Sequence, residues 1–140
     1  VKKYLFRAYC VPENKWYYRN IDVQNSFGQD EFLDEESFSL FSGLVDGNGV
    51  KIFEGDVVSV FSGFGENNHQ IRRIALVVFE NSFFKLKLPR CLLPYTLEQY
   101  CNSMSNLISI IGNIYEGRFK HLESIILADD NYKIYEEDWV

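Results

Sequence analysis

The sequence predicts a mainly β fold: an N-terminal β-rich segment, then a small closed barrel, then a short C-terminal helix. Three observations carry this. Aromatics make up 16% of the 140 residues, with 12 Phe and 9 Tyr, and such side chains favour pleated, half-buried surfaces. Short apolar runs alternate with clusters of Gly, Asn, Asp and Pro along most of the chain, the pattern of strands and turns. The third is the stretch from Phe41 to Val58, where a Gly-rich hairpin signal and a Gly-Asp step precede an apolar strand.

In chain order, Lys3 to Cys10 and Trp16 to Ile21 are aromatic runs around Val11-Pro12-Glu13-Asn14-Lys15 and predict a hairpin. Asp22 to Phe32 has few apolar residues and reads as an exposed loop. Phe38 to Val45 is a strand, with Phe38, Leu40 and Leu44 on one face and Phe41 and Val45 on the other. Asp46-Gly47-Asn48-Gly49 predicts a type I′ hairpin turn, because Asn and Gly tolerate its positive φ, and Val50 to Phe53 returns. Glu54-Gly55-Asp56 then breaks the pairing before Val57 to Phe61: glycine permits the kink, and Asp56 holds the turn through its own backbone.

Ser62 to Asn68 reads as a flexible loop carrying Phe64. Ile71 to Phe79 is apolar on both faces, Ile74, Leu76 and Val78 against Ala75, Val77 and Phe79, which predicts a central, covered strand. Glu80-Asn81-Ser82 turns the chain into Phe83 to Leu88, a half-exposed strand in which Lys85 and Lys87 alternate with apolar residues. Pro89 to Asn106 reads as an inserted excursion with a short helix at Thr96 to Tyr100, capped by Thr96. Leu107 to Ile111 is the last barrel strand. Apolar positions 119, 122, 125 and 126 give a helical spacing over Arg118 to Leu127, and an acidic tail follows with an edge strand at Tyr132 to Tyr135. The expected organisation is therefore 1–42, 43–116 and 117–140.

The net charge of -6 opposes a phosphate backbone, which disfavours sequence-independent nucleic-acid binding. Cys10, Cys91 and Cys101 are odd in number and form no C-x-x-C pair, so they read as reduced thiols. The longest apolar run, Ile74 to Phe79, falls far short of a membrane span, and Lys2 and Lys3 lead into no secretory h-region. These readings imply a cytoplasmic protein with no membrane partner.

Three segments resemble the YopX family of phage and prophage proteins. They are Phe6-Arg7-Ala8 with Glu13-Asn14-Lys15 and Tyr17-Tyr18; Phe41-Ser42-Gly43-Leu44 through Asp46, Asn48-Gly49 and Ile52 to Val58; and Ile111-Gly112-Asn113-Ile114-Tyr115-Glu116. The chain departs from the family at Gly117 and Arg118, where members tend to carry Asn and Pro. The resemblance implies a β-rich protein with an SH3-like barrel in a bacterial host cell, and it implies no reaction. The same barrel follows from the residues, since a Gly-Asp step before Val57, Val58 and Val60 is a common barrel opening and closure hides sheet edges.

Asp46 and Asn48 match the first and third positions of a calcium loop, but Lys51 replaces its glycine and Val57 its glutamate. The same glycines lack the Gly-Lys-Ser/Thr of a phosphate cradle. Asp46, Gly47, Asn48, Gly49, Gly55 and Asp56 are therefore assigned to structural turns. Glu54 and Asp56 suggest a carboxylate pair, though Gly55 between them breaks the strand that would align them. His69, His121 and the cysteines do not cluster, so no metal, no cofactor and no catalytic residue is expected.

Trp16-Tyr17-Tyr18-Arg19 mixes aromatics with a base, as stacking platforms do, and reads more simply as a hairpin packed on the barrel. Phe64, Arg72 and Arg73 are the candidate binding surface. The acidic residues Asp129, Asp130, Glu136, Glu137 and Asp138 read as a solvated tail, or as a phosphate mimic for a basic partner. The expected function is a non-enzymatic accessory protein acting by protein binding or self-association; the alternative is a nucleic-acid-binding module using the barrel loops.

Overall fold

The N-terminal hairpin forms as the aromatic pattern predicts. Tyr4–Cys10 (β1) and Lys15–Ile21 (β2) pair in unbroken antiparallel register from Tyr4↔Ile21 to Cys10↔Lys15. The structure, a computed structural model, describes residues 4–21, 35–88, 91–104 and 108–120. The predicted loop at 22–32, most of the helix over 118–127 and the acidic tail lie outside them; within them, Gly117–Phe119 is a 3-10 turn.

Ser39–Val45 (β3) joins β1 through Phe6↔Leu40 and Arg7↔Ser39 and also pairs with Lys51–Phe53 (β4), giving a first sheet of order β2-β1-β3-β4. The second sheet contains Asp56–Phe64 (β5), Gln70–Glu80 (β6), Phe83–Leu88 (β7), Cys91–Thr96 (β8) and Ile108–Asn113 (β9), in the order β8-β7-β6-β5-β9. β6 is its middle strand, as two-faced apolarity predicted. Ala75 and Val77 pack into the larger core with Ile52, Leu86, Leu88 and Ile108, while Ile74 and Leu76 meet Val57 and Phe119 on the other face. Each fully buried side chain of this size stabilises the fold by roughly 1.5–3 kcal/mol.

Two local expectations change. The Asp46 hairpin closes through Gly49 N–H on Asp46 O at 3.0 Å, and only Gly49, with φ +80°, takes positive φ in it. That is a type I turn followed by a left-handed glycine rather than type I′. Both residues of the Asn81-Ser82 turn have positive φ, at 53° and 71°, so the I′ geometry occurs there. Ser62 to Phe64 belongs to β5, because a bulge between Phe61 and Gly63 lets pairing continue to Phe64↔Gln70.

The excursion after Pro89 is part of the fold. β8 extends the sheet at an edge that tolerates Pro94. Leu97–Met104 (α1) buries Leu97, Tyr100 and Cys101 at helical spacing in the larger core. Its predicted cap is reciprocal: Gln99 N–H donates to Thr96 Oγ1 at 3.1 Å, and Thr96 N–H to Gln99 Oε1 at 3.0 Å.

Among the described residues the two sheets remain open, and no ring of strand ladders closes the barrel expected over 43–116. Two carboxylates take backbone amides of the outer strands. Phe53 N–H, in β4, donates to Asp56 Oδ2 at 2.7 Å, and Ile110 N–H, in β9, donates to Asp46 Oδ2 at 2.9 Å. Donors that could have bridged the sheets are occupied by side chains, and β4 is only three residues long.

Candidate functional site

Arg7 leaves β1 within an aromatic strand and Asp56 stands at the start of β5. Their side chains meet at 2.6 Å, with Arg7 6% exposed and Asp56 1% exposed. The guanidinium lies between two rings, 4.4 Å from the centroid of Trp16 and 4.6 Å from that of Phe53. Such stacking suits the planar, weakly hydrated arginine head. Burial pushes the Asp56 carboxyl up, the Arg7 charge and the Phe53 N–H pull it back, and the net displacement is upward.

Trp16 extends the cluster to the end of β9. Its Nε1–H donates to Glu116 Oε1 at 2.7 Å, and its ring meets Tyr115 edge-on with centroids 5.8 Å apart. Glu116 Oε1 also accepts Asn113 Nδ2–H at 3.0 Å, while Asn113 Oδ1 takes the N–H groups of Tyr115 and Glu116. Burial pushes the Glu116 carboxyl up, but the Trp16 and Asn113 hydrogen bonds and the Arg7 charge outweigh it and hold the group below its ordinary range. Close packing fixes Tyr115, since a Cβ on Gly55 would lie 2.5 Å from its ring. Gly55 itself donates to Val77 O and accepts from Ile114 N–H.

This cluster lines a groove of about 580 Å³, walled by Val50, Lys51 and Phe53 on one side and by Ile110, Gly112 and Asn113 on the other. Glu54 is elsewhere, in a second hollow of about 570 Å³ with Glu80 and Lys120. The suggested carboxylate pair is therefore divided between two hollows, with Asp56 committed to Arg7. Asp46 accepts the N–H groups of Asn48, Val50 and Ile110, and Gly47 N–H donates to Ile108 O, so this turn stitches the first sheet to β9.

Phe64 lies exposed at the end of β5 with its ring 5.1 Å from Phe61. Arg72 pairs opposite Phe61 and Arg73 opposite Val60, so adjacent residues of β6 send the two bases to opposite faces. Arg72 donates to the Ser59 side chain at 2.7 Å and its carbonyl at 3.0 Å; among the described residues the buried Arg73 Nε–H has no acceptor. Cys10 and Cys101 are free and buried. Among the described residues no group of three His, Cys, Asp or Glu could hold a metal ion, and no helix is long and apolar enough to cross a membrane.

Sequence reasoning missed Arg7 and Glu116 as partners. Their only local signals are a single cation inside an aromatic strand and an acid directly after Asn113-Ile114-Tyr115. All three segments that carry the family resemblance supply residues to the cluster.

The fold and site define a mainly β protein of two antiparallel sheets joined by a buried arginine cluster. The YopX protein family matches residues 4–118, and the chain belongs to that family. The crystal structure of protein EF1440 from Enterococcus faecalis is similar, with a TM-score of 0.50 and 20% identity over 81% of this chain and 94% of that one; this likeness concerns the fold alone. No curated protein matches the chain.

Proposed function

We propose that the chain is a non-enzymatic accessory protein of a phage or prophage, working in the cytoplasm of a bacterial host by binding a protein partner or a second copy of itself. One observation carries the reading: the acids drawn to the centre of the molecule are spent on the fold. Asp46 holds three backbone N–H groups, Asp56 holds Arg7 and Phe53 N–H, and Glu116 holds Trp16 and Asn113. A general base needs a lone pair in reach of a substrate proton. What the groove leaves accessible is the exposed apolar surface of Tyr18 and Val50, which suits a protein contact. The phage setting rests on the family resemblance, and the cytoplasmic one on the buried free thiols.

Sedimentation of the full chain, with cross-linking in extracts of induced lysogens, tests this. A defined partner or oligomer is expected; a monomer that captures nothing overturns the reading. The nucleic-acid alternative is weakened by the placement of Arg72 and Arg73 on opposite faces and by the net charge of -6. A salt-sensitive mobility shift abolished in the Arg72→Ala, Arg73→Ala double variant would restore it.

A further inference from the structure

We propose that Asn48 is a self-modification site that records separation of the first sheet from β9. It stays an amide while the Asp46 turn is bound to β9, and it converts to isoaspartate when that joint opens. The inference needs no partner and stands apart from the protein-binding reading above.

Asn48 precedes Gly49, and glycine has no side chain to shield its backbone nitrogen. In such a pair the Gly49 nitrogen can attack Cγ of Asn48. The N–Cγ bond forms, the Cγ–Nδ2 bond breaks, and ammonia leaves with the proton of the Gly49 amide. The succinimide ring then takes up water: opening at Cγ gives aspartate, and opening at the backbone carbonyl gives isoaspartate. Water is the only co-reactant, and it has access, since Gly47, Asn48, Gly49 and Val50 are all exposed.

The restraint on this reaction is the hydrogen bond that the nucleophile makes. Gly49 N–H donates to Asp46 O at 3.0 Å, and a nitrogen held in that bond is not free to turn on Cγ. Asp46 belongs to both the turn and the joint. Its carbonyl takes Gly49, its Oδ1 takes Asn48 and Val50, and its Oδ2 takes Ile110 of β9 at 2.9 Å. Gly47 N–H adds a second bond to β9, on Ile108 O at 2.9 Å. Asp46 is 4% exposed, so its carboxylate meets water only when the joint parts, and the turn amides then lose their acceptor. One opening frees the β9 amide and the nucleophile together.

The product does not close again. Isoaspartate runs the chain through its β-carbon, which lengthens the turn by one backbone atom and takes Gly49 N–H out of register with Asp46 O. It also leaves a new carboxylate two residues from Asp46, where like charges repel. Asp46-Gly47 is a second labile pair, but its carboxyl oxygens and the Gly47 N–H are all engaged, two of these contacts on β9 itself. Asn48 is therefore the residue that converts.

Incubation of the full chain at neutral pH tests this, with peptide mapping by mass spectrometry for an amide turned carboxyl. Conversion at Asn48 should be about 10-fold or more slower in the folded protein than in urea, because it waits on opening. Gly47→Pro cuts the bond to Ile108 yet suits the first central position of a type I turn, since Gly47 has no positive φ. Relative to its own rate in urea, this variant should convert faster when folded than the parent does. Hydrogen exchange on the parent needs no variant: the Gly49 and Ile110 amides should share one degree of protection. Converted protein, separated by ion exchange on its added charge, should unfold at a lower urea concentration. Equal rates in the folded and unfolded chains overturn the proposal, as does a Gly47→Pro ratio no higher than the parent's. A Gly49 amide that exchanges far faster than Ile110, or converted protein as stable as the parent, overturns it too.

Discussion

Asp46 and Asp56 are both buried acids at turns, 4% and 1% exposed, and they are satisfied in different ways. Asp46 gathers three backbone N–H groups, two from its own turn and one from Ile110. Asp56 takes one local amide, from Phe53, and then reaches Arg7, 49 residues away. Backbone amides are fixed dipoles that return with any refolded hairpin. A guanidinium arrives only when the N-terminal hairpin docks. A carboxylate solved by amides anchors one loop, whereas one solved by a distant cation joins separate pieces of chain, and losing the partner leaves a bare buried charge.

That contrast predicts the largest effect at Arg7. Arg7→Ala should destabilise the protein by about 3–5 kcal/mol, because Asp56 is left uncompensated, and the loss should appear as a lower urea midpoint at unchanged slope. Arg7→Met combined with Asp56→Leu should cost less than either single change. A loss below about 1 kcal/mol for Arg7→Ala would break the comparison, since exposed pairs behave that way. Asp46→Ala comes next, at about 2–3 kcal/mol, because the turn amides can rehydrate and the Ile110 amide recovers less well. Asp46→Asn, which keeps an acceptor, should cost less in the same titration.

The glycines of the two turns extend the comparison. Gly49 and Gly55 have φ of +80° and +86°, but a Cβ at Gly49 meets nothing within 4 Å, whereas one at Gly55 runs into Tyr115 at 2.5 Å. Gly49→Ala should therefore cost about 1 kcal/mol, from backbone conformation alone. Gly55→Ala should cost about 2 kcal/mol, as off-rotamer strain at Tyr115 adds to the backbone cost. It should also shift the fluorescence of Trp16, which Tyr115 touches edge-on. Equal losses at the two sites would mean that Tyr115 moves aside freely.

Much of the fold was legible because it is written in local periods. The β1–β2 hairpin, the two-faced β6, the Lys85 and Lys87 alternation in β7 and the Thr96 cap each follow from spacing within a few residues. In the stretch after Pro89 the helix and its cap are legible, but Pro89, Pro94 and the Asn and Ser residues from Asn102 to Asn106 make it read as an excursion, although Leu97, Tyr100 and Cys101 stand at the spacing that places them in the core. The site was barely legible. Arg7 with Asp56 and Trp16 with Glu116 are joined across 49 and 100 residues, separations that no local pattern encodes. The division of Arg72 from Arg73 was readable, since neighbours in a strand face opposite ways.

The smallest predicted effect tests the sign of the cluster's electrostatics. The Glu116 carboxyl is held below its ordinary value of 4.5 and the Asp56 carboxyl above its ordinary 3.8. The stability from Glu116 is therefore complete above 4.5 and is lost as pH falls through its depressed value. Asp56 works the other way: its contribution is complete below 3.8 and is lost as pH rises through its raised value. Glu116→Gln should thus lower stability modestly at neutral pH, with the gap to the parent protein closing as the pH drops below 4.5. In that variant the Asp56 limb stands alone and should shallow the acid-side fall, while Arg7→Ala, which removes the cation pulling Asp56 down, should move that limb to higher pH. Urea midpoints taken across the acid range decide this. A gap between Glu116→Gln and the parent that widens on acidification would mean that the Trp16 and Asn113 hydrogen bonds do not favour the ionised carboxylate.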